Sequence, residues 1–444
     1  MGRSSVRNAG TARKRYLRFL VAAIVFALAL SILAAQILLP PETTPTPLQN
    51  NLGRAIRFTW ETARVNDSTR LDLGIIVNQF LSASGEIFDG PGHNDDALVT
   101  GQSIFVFSEL YKRSGDNKYL SMALQTADRF NPQISNGIVF AQGDDPGLYV
   151  DPNDPSYTGP QPGMVFWGFN GSSWLHPSDE QALGAVWGLY NAWNLSQDPR
   201  YVSWITTIAN YSLTHASSVT GLIIAEIAHS VTGQAEYETA VQQFANQFNQ
   251  TWTKSVFNQS KNNSVILYPV GYLLIGSYFA ALRPLFVPII LRYYLPAITL
   301  VLLDPQTAAV YYSRTLLSNG SLEWVGQPGS GDYSRGVEDT RFAMDAVLVL
   351  LNAFQGDHSN STLLQTASRI MSRYATKQLL SPSSDVSSAV VGCLRPFYSD
   401  QELATTSYYQ WPAANLCSTQ ATVEFAWAAT ELIGAEGQSV QALG

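Results

Sequence analysis

The chain is poor in the residues that several functional classes require. Its two cysteines, Cys393 and Cys417, among 444 residues exclude a cysteine-rich zinc module and a disulfide-framework miniprotein. The five histidines, His93, His176, His215, His229 and His358, include no pair at the i, i+4 spacing of a helical metal site. A zinc hydrolase is therefore not expected, and no metal ligand set or cofactor motif is found. There is no Gly-X-Ser-X-Gly elbow and no phosphate-cradling glycine loop. Basic charge is also scarce. Of 26 Lys and Arg against 34 Asp and Glu, six basic groups (Arg3, Arg7, Arg13, Lys14, Arg15, Arg18) fall in the first 18 residues. The rest of the chain stands at −14, which leaves nothing to neutralise phosphates and excludes nucleic acid as a partner. With 46% apolar and 11% aromatic residues, most of the chain has enough apolar surface to fold.

Long uncharged runs are present. Residues 1–18 form a basic tail, and Phe19–Leu39 is uncharged and apolar apart from Ser31 and Gln36. A run of about 20 apolar residues spans a bilayer as a helix, and the basic cluster before it places the tail in the cytoplasm and the body outside. This reads as an uncleaved transmembrane signal anchor over 19–39, making the membrane a partner of the N-terminus. A cleaved signal peptide is the competing reading, although the run exceeds the usual apolar core and Leu33-Ala34-Ala35 is an indifferent cleavage site. Residues 40–50, rich in Pro and Thr, read as an extended stalk, and the body occupies 51–444.

Asn-X-Ser/Thr acceptors stand at Asn66, Asn170, Asn194, Asn210, Asn249, Asn258, Asn262, Asn319 and Asn360. Together with the anchor they favour a luminal or extracellular body. In that oxidising compartment Cys393 and Cys417 pair; two unpaired buried thiols are the alternative. The apolar stretch 265–303 challenges a single span. Pro284, Pro288 and Pro296, with Arg283 and Arg292, are expected to chop it into pieces too short to cross, so it reads as buried helices of the body.

A loose unit recurs through the body: a helix, a short Gly/Asp turn, then a helix opened by Tyr or Leu. Gly115-Asp116 before Tyr119, Asp198-Pro199-Arg200-Tyr201, Thr232-Gly233 before Tyr237, and Gly356-Asp357 are its turns. The turn chemistry and the 3.6-residue periodicity predict helical hairpins. They close most simply into an all-α toroid of inner and outer helices, since no strict repeat supports an open solenoid.

What remains for chemistry is carboxylates and aromatics, the toolkit of sugar chemistry. Asn94-Asp95-Asp96, just before an apolar helix, pairs two carboxylates whose repulsion raises one pKa while the helix dipole favours the ionised partner. The same tripeptide is also ordinary helix capping. Asp144-Asp145, Asp151 and Asp154 fall in a Pro/Gly-rich stretch that reads as a solvated loop. Asp179-Glu180 reads as a helix start, and Glu338-Asp339 with Arg341 as a salt-bridged one. Trp167 and Trp174, with Phe169, are candidates for stacking on sugar rings or for core.

At these residues the chain resembles glycoside hydrolase family 76, the endo-α-1,6-mannanases and related fungal cell-wall proteins. The matching motifs are Asn94-Asp95-Asp96, the helix ending at Tyr111, and Gly115-Asp116-X-X-Tyr119-Leu120. Phe166-Trp167-Gly168, Asp198-Pro199-Arg200-Tyr201, Tyr268-Pro269-Val270-Gly271, Asp339-Thr340-Arg341-Phe342, and Gln410-Trp411 with Ser418-Thr419-Gln420 follow in order. The resemblance implies an (α/α)6 toroid, a retaining mechanism with Asp95 as nucleophile and Asp96 as general acid/base, and a mannose-containing glycan as substrate. Asn94, Trp167, Trp174 and Trp411 are the substrate-binding candidates. Ala97-Leu98-Val99-Thr100 replaces the aromatics that the family places after its aspartates. A catalytically silent glycan-binding or cell-wall organising protein, or another six-hairpin glycan-processing enzyme, is therefore the alternative.

Overall fold

The computed structural model describes residues 45–444 except 88–95, 152–153, 155, 262–263, 267–269, 312, 317–321, 324–337, 378, 397–415, 439 and 441–444. The anchor, most of the stalk, Asn94, Asp95, Trp411 and the Asn262 and Asn319 acceptors lie outside the described residues. The body is a unit from Pro47 onward. Its first helix begins at Pro47, inside the stretch expected to be stalk, where proline's fixed φ suits a helix start.

Helices alternate between two layers. The outer layer holds α1 (Pro47–Phe58), α3 (Asn117–Ala127), α5 (Pro199–Ser212), α7 (Ala235–Lys261), α9 (Arg283–Leu302) and α11 (Ser361–Lys377). The inner layer holds α2 (Asp96–Ser114), α4 (Asp179–Ser196), α6 (Ser218–Thr232), α8 (Val270–Ser277), α10 (Thr340–Gly356) and α12 (Thr419–Ala435). Each inner helix packs on the next, α2 on α4, α4 on α6, α6 on α8, α8 on α10, α10 on α12, and α12 back on α2. The ring closes as an (α/α)6 toroid. An outer helix returns the chain after each inner one, so the inner helices run parallel and their N-termini share one face.

Local sequence explains the hairpins. Asp116 and Asp198 cap α3 and α5 by accepting the Lys118 and Arg200 amides, both at 2.9 Å. Gly233 ends α6 in the left-handed conformation, φ 67°. The apolar faces of α2 and α12 extend all round because inner helices are covered on every side.

Strands are short and sit on the rim. β1 (Gln79–Leu81) pairs antiparallel with β8 (Leu416–Ser418), Gln79 opposite Ser418. β2 (Tyr149–Val150), β4 (Trp174–Pro177) and β3 (Phe166–Phe169) make a second sheet in that order, and β5 (Ser264–Ile266), β6 (Ser313–Leu316) and β7 (Leu322–Glu323) a third. Cys417 of β8 is bonded to Cys393, with Cα atoms 5.9 Å apart and both residues buried.

The prolines of 283–302 do not chop the chain as expected. Arg283–Leu302 is one helical run with wide turns at Ile290–Tyr294 and Ile298–Leu302. Pro284, Pro288 and Pro296 fall at four-residue spacing with Arg292 on the exposed stripe, and the wide turns take up the missing N–H groups. The run is long and apolar enough to cross a membrane, and 44% of it is buried against the body. Phe286, Ile290, Ile298 and Leu302 make the buried side.

The tightest helix contact is between α2 and α4. A Cβ on Gly101 would run into the Gly184 backbone, and one on Gly184 would lie 2.5 Å from the Leu98 Cα. Gly101→Ala should therefore lower the unfolding free energy by roughly 1–3 kcal/mol, read as a lower denaturant midpoint. An unchanged midpoint would show that the two backbones have room to separate.

Candidate active site

The shared N-terminal face of the inner ring gathers polar side chains on the toroid axis. Asp96 opens α2 and is 1% exposed; its Oδ1 accepts the Asn78 amide at 2.7 Å. Asn78 also binds the start of α12. Its carbonyl accepts the Thr419 amide at 2.6 Å and its Oδ1 the Gln420 amide at 3.0 Å. One residue thus ties the mouths of two inner helices together. Asp96 stands in the first turn of α2, where the helix dipole interacts with its carboxyl group.

Deeper in the ring, α2 contributes Gln102, α10 contributes Arg341 and Asp345, and α12 contributes Gln420 and Glu424. Asp345 and Glu424 are nearly fully buried. Glu424 Oε1 accepts from the amide nitrogens of Gln102 and Gln420, each at 3.2 Å, and its Oε2 has no partner. Gln420 Oε1 in turn accepts from Arg341 at 3.4 Å. The Asp345 carboxylate lies against Gly271 of α8, where a Cβ would come within 3.6 Å of both its oxygens.

Three carboxylates, Asp339, Asp345 and Glu424, face Arg341 in this water-poor setting. Burial pushes the Asp345 carboxyl up to about 7, with Arg341 opposing and Asp339 adding to the rise. Burial likewise raises Glu424 well above the usual carboxylate range, and the Asp345 charge raises it further. Asp339 rises by burial against the pull of Arg341; it caps α10 by accepting the Arg341 amide at 2.9 Å. Asp345 and Glu424 thus keep a proton toward neutral pH, whereas Asp96, at the start of α2, accepts a backbone amide. This division of environments is what acid and nucleophile roles at a sugar centre need.

Below the carboxylates an aromatic cluster fills the axis. Phe105 stacks on Trp187 at 4.5 Å between centroids and meets Tyr278 and Trp427 edge-on. The Tyr278 hydroxyl accepts the Trp427 indole N–H at 2.9 Å and donates to Glu431 at 3.3 Å. Arg113 binds Glu431 at 2.9 Å. The far end of the ring thus carries a cavity of only about 130 Å³.

The candidates read from the sequence separate here. Asp96 is buried at the start of α2, held by the Asn78 amide. Trp174 is fully buried and its indole N–H donates to the Asn136 carbonyl at 2.8 Å, so it is core and not a stacking platform. Trp167 is half-buried on the rim, its ring edge-on to His176 at 5.1 Å, and its indole nitrogen lacks a partner. Asp144 is not a solvated loop residue. It is 8% exposed and accepts the Asn136 and Ala141 amides and the Tyr149 hydroxyl. Glu338 makes a bidentate pair with Arg373 at 2.8 and 2.9 Å. Asp345, Glu424 and Gln102 were missed by sequence reasoning. The available signal was a lone carboxylate in an otherwise apolar helix, as in Phe342-Ala343-Met344-Asp345-Ala346-Val347 and Thr422-Val423-Glu424-Phe425.

The first turn of α2 is enclosed by its neighbours. Ala97, Leu98, Val99 and Thr100 are buried. The Leu98 amide donates to Gln181 of α4, and Thr100 Oγ1 accepts the Ile76 amide at 3.0 Å. These positions pack against neighbours and do not face the mouth.

No protein-family model and no curated protein matches this chain. Solved structures do. The chain is similar to a D-mannose isomerase (10% identity, 89% of this chain and 99% of that one, TM-score 0.53). It is also similar to an unsaturated glucuronyl hydrolase specific for heparin (10% identity, 89% and 99%, TM-score 0.51). A third likeness is to the cellobiose 2-epimerase of Bacillus thermoamylovorans B4167 (12% identity, 86% and 98%, TM-score 0.50). At these identities the likeness establishes the six-hairpin (α/α)6 fold over nearly the whole body.

The buried carboxyls set a pH dependence. Asp345 titrates near 3.8 when unfolded and near 7 when folded, so the folded state binds more protons between those values and stability falls as pH rises through them. Urea midpoints should decline from pH 4 to pH 7, and Asp345→Asn should flatten that decline. An identical slope in the variant would remove Asp345 as its cause.

Proposed function

We propose that this chain is a glycan-processing enzyme whose reaction occurs at the N-terminal mouth of the inner ring. Our reading is a membrane-tethered retaining glycoside hydrolase or transglycosidase acting on α-1,6-mannan or related mannose-containing glycans. The observation that carries it is the set of carboxyl groups in contrasting environments on the axis, Asp96 at a helix start and Asp345 with Glu424 below it. Asp95 is assigned as nucleophile and Asp96 as general acid/base, following the motif resemblance. Attack by a carboxylate on the anomeric carbon, with protonation of the leaving oxygen, forms a glycosyl-enzyme that water or a second sugar hydroxyl resolves. In this assignment Asp345 and Glu424 hold sugar hydroxyls, and Trp167 stands at the rim for stacking.

A second reading keeps the mouth and moves the acid to Asp345 and Glu424, giving an isomerase, epimerase or unsaturated-glycan hydrolase. The protons these buried groups retain favour it, and the names of the three similar structures span those reactions. The acidic body disfavours uronate substrates within this reading.

The luminal or extracellular placement is part of the same proposal. Asn66, Asn194, Asn210, Asn249 and Asn360 are exposed on the body and accessible to a glycosyltransferase. Asn170 is half-buried, and its Oδ1 accepts from Ser172 and Ser173.

The test is reducing-end release from linear α-1,6-mannan by the full chain in detergent micelles, beside Asp95→Asn and Glu424→Gln. Loss on the order of 10²–10⁴-fold in the Asp95 variant, with normal helicity, supports the first reading. A collapse confined to Glu424→Gln, with turnover of a reducing sugar in place of mannan, supports the second. No turnover of either substrate by folded protein would leave a glycan-binding protein.

A further inference from the structure

The outer helix α9 shows solvent a different surface from its neighbour in the ring. On α11 the exposed side chains, among those described, are Ser361, Thr362, Gln365, Arg369, Ser372 and Thr376, all polar. On α9, Pro284, Pro288, Arg292, Pro296 and Leu300 are exposed at four-residue spacing, which sets them along one face of the helix. Leu291 and Leu295 are half-buried beside them. Leu300, 71% exposed, is the most exposed large hydrophobic side chain among the described residues. The helix is long and apolar enough to cross a membrane, yet less than half of it is covered by the body. Contiguous apolar surface of this kind marks an interaction site.

The polar groups of this stripe say what covers it. Thr299, also exposed, donates its hydroxyl to the Leu295 carbonyl at 2.9 Å, and the three prolines carry no N–H. What remains is Arg283 and Arg292, the only charged residues in 265–303. Neither makes an ion pair among the described residues. The chain beyond its basic tail stands at −14, so an acid-free stripe with two unopposed guanidinium groups is the reverse of its surroundings. Apolar side chains for an acyl layer beside basic groups for headgroups are the composition of an interfacial helix, and a planar guanidinium matches phosphate oxygens. A second copy of the chain fits less well. In a two-fold contact the stripe would face itself, with no acid to pair with either arginine.

We infer that α9 is a second membrane contact, lying along the surface of a phospholipid bilayer. Pro288, Pro296 and Leu300 enter the boundary between headgroups and acyl chains, and Arg283 and Arg292 bind lipid phosphates. The inference rests on the membrane-tethered reading above, in which only residues 40–46 separate the bilayer-spanning run from α1. Fully extended, that segment reaches about 25 Å, so the body stays beside the lipid surface. The helix does not itself cross, because its Phe286, Ile290, Ile298 and Leu302 side is committed to the core of the body. Outer and inner helices run antiparallel, so docking on α9 lays the toroid axis along the bilayer. The mouth then opens parallel to the surface, toward glycans held there.

The experiment puts an environment-sensitive fluorophore on Leu300→Cys in the full chain, in proteoliposomes of phosphatidylcholine and phosphatidylglycerol. Ser121→Cys on α3, three hairpins away around the ring and also exposed, carries the same label for comparison. Lipids brominated near the glycerol end of the acyl chain should quench the Leu300 label and spare the Ser121 label. Arg283→Glu/Arg292→Glu should lower the ratio of docked to undocked protein about tenfold or more, with the melting temperature unchanged. Carbonate extraction scores the anchor separately. Protein that resists extraction but is not quenched at Leu300 overturns the docking and keeps the tether. Protein that is quenched at Leu300 yet extracted upholds the docking and removes the tether. Equal quenching at both positions, stronger quenching by lipids brominated near the methyl end, or quenching unchanged by the charge reversal overturns the proposal. So does cross-linking of Leu300→Cys between copies in place of quenching, which would make the stripe a self-contact.

Discussion

The backbone of α2 meets the backbone of α4 where Gly101 faces Gly184, and the geometry of the ring depends on that approach. Two helices packed through side chains lie 8–10 Å apart; glycine at the contact lets them come closer. The consequence reaches both ends of the axis. Toward the C-terminal end, Phe105 and Trp187 come into stacking contact and meet Trp427 across the ring. Toward the N-terminal end, the Leu98 amide reaches Gln181 of α4. The first turn of α2 fits into this contact with small or aliphatic residues, Ala97, Leu98 and Val99, all buried.

The axis divides into an aromatic half and a carboxylate half, and the division has an electrostatic cost. Helix N-termini converge on one face, where negative charge is favourable, yet Asp345 and Glu424 sit too deep to be hydrated. Arg341 offsets only part of the burial of three carboxylates. The remainder is met by retained protons. A stable fold has no need of this arrangement, since an apolar pair would pack without it. Its retention at the ring centre fits a site that handles protons and hydroxyl groups.

Much of the architecture was legible in the residues. Capping aspartates, left-handed glycines and the 3.6-residue periodicity marked the hairpins, because these are local backbone requirements. The prolines of 283–302 misled, since their effect depends on which face of the helix they occupy and on the wide turns that absorb them. Trp174 and Trp167 show why aromatics are hard to assign from sequence. Both lie in one short stretch, yet a single hydrogen bond to Asn136 commits Trp174 to the core, while Trp167 stays on the rim. Asp144 was misread for a similar reason, because its donors come from residues on either side of a turn.

The sequence alone carried the all-α hairpin plan and the helix start at Asp96. These follow from periodicity, turn chemistry and composition, which are properties of neighbours along the chain. Tertiary packing alone brings Gln102, Asp345 and Glu424 together from three different helices. That meeting arises from ring closure, which brings Gln102 to Glu424 across a sequence separation of 322. Burial there, and not residue type, sets which carboxyl keeps its proton.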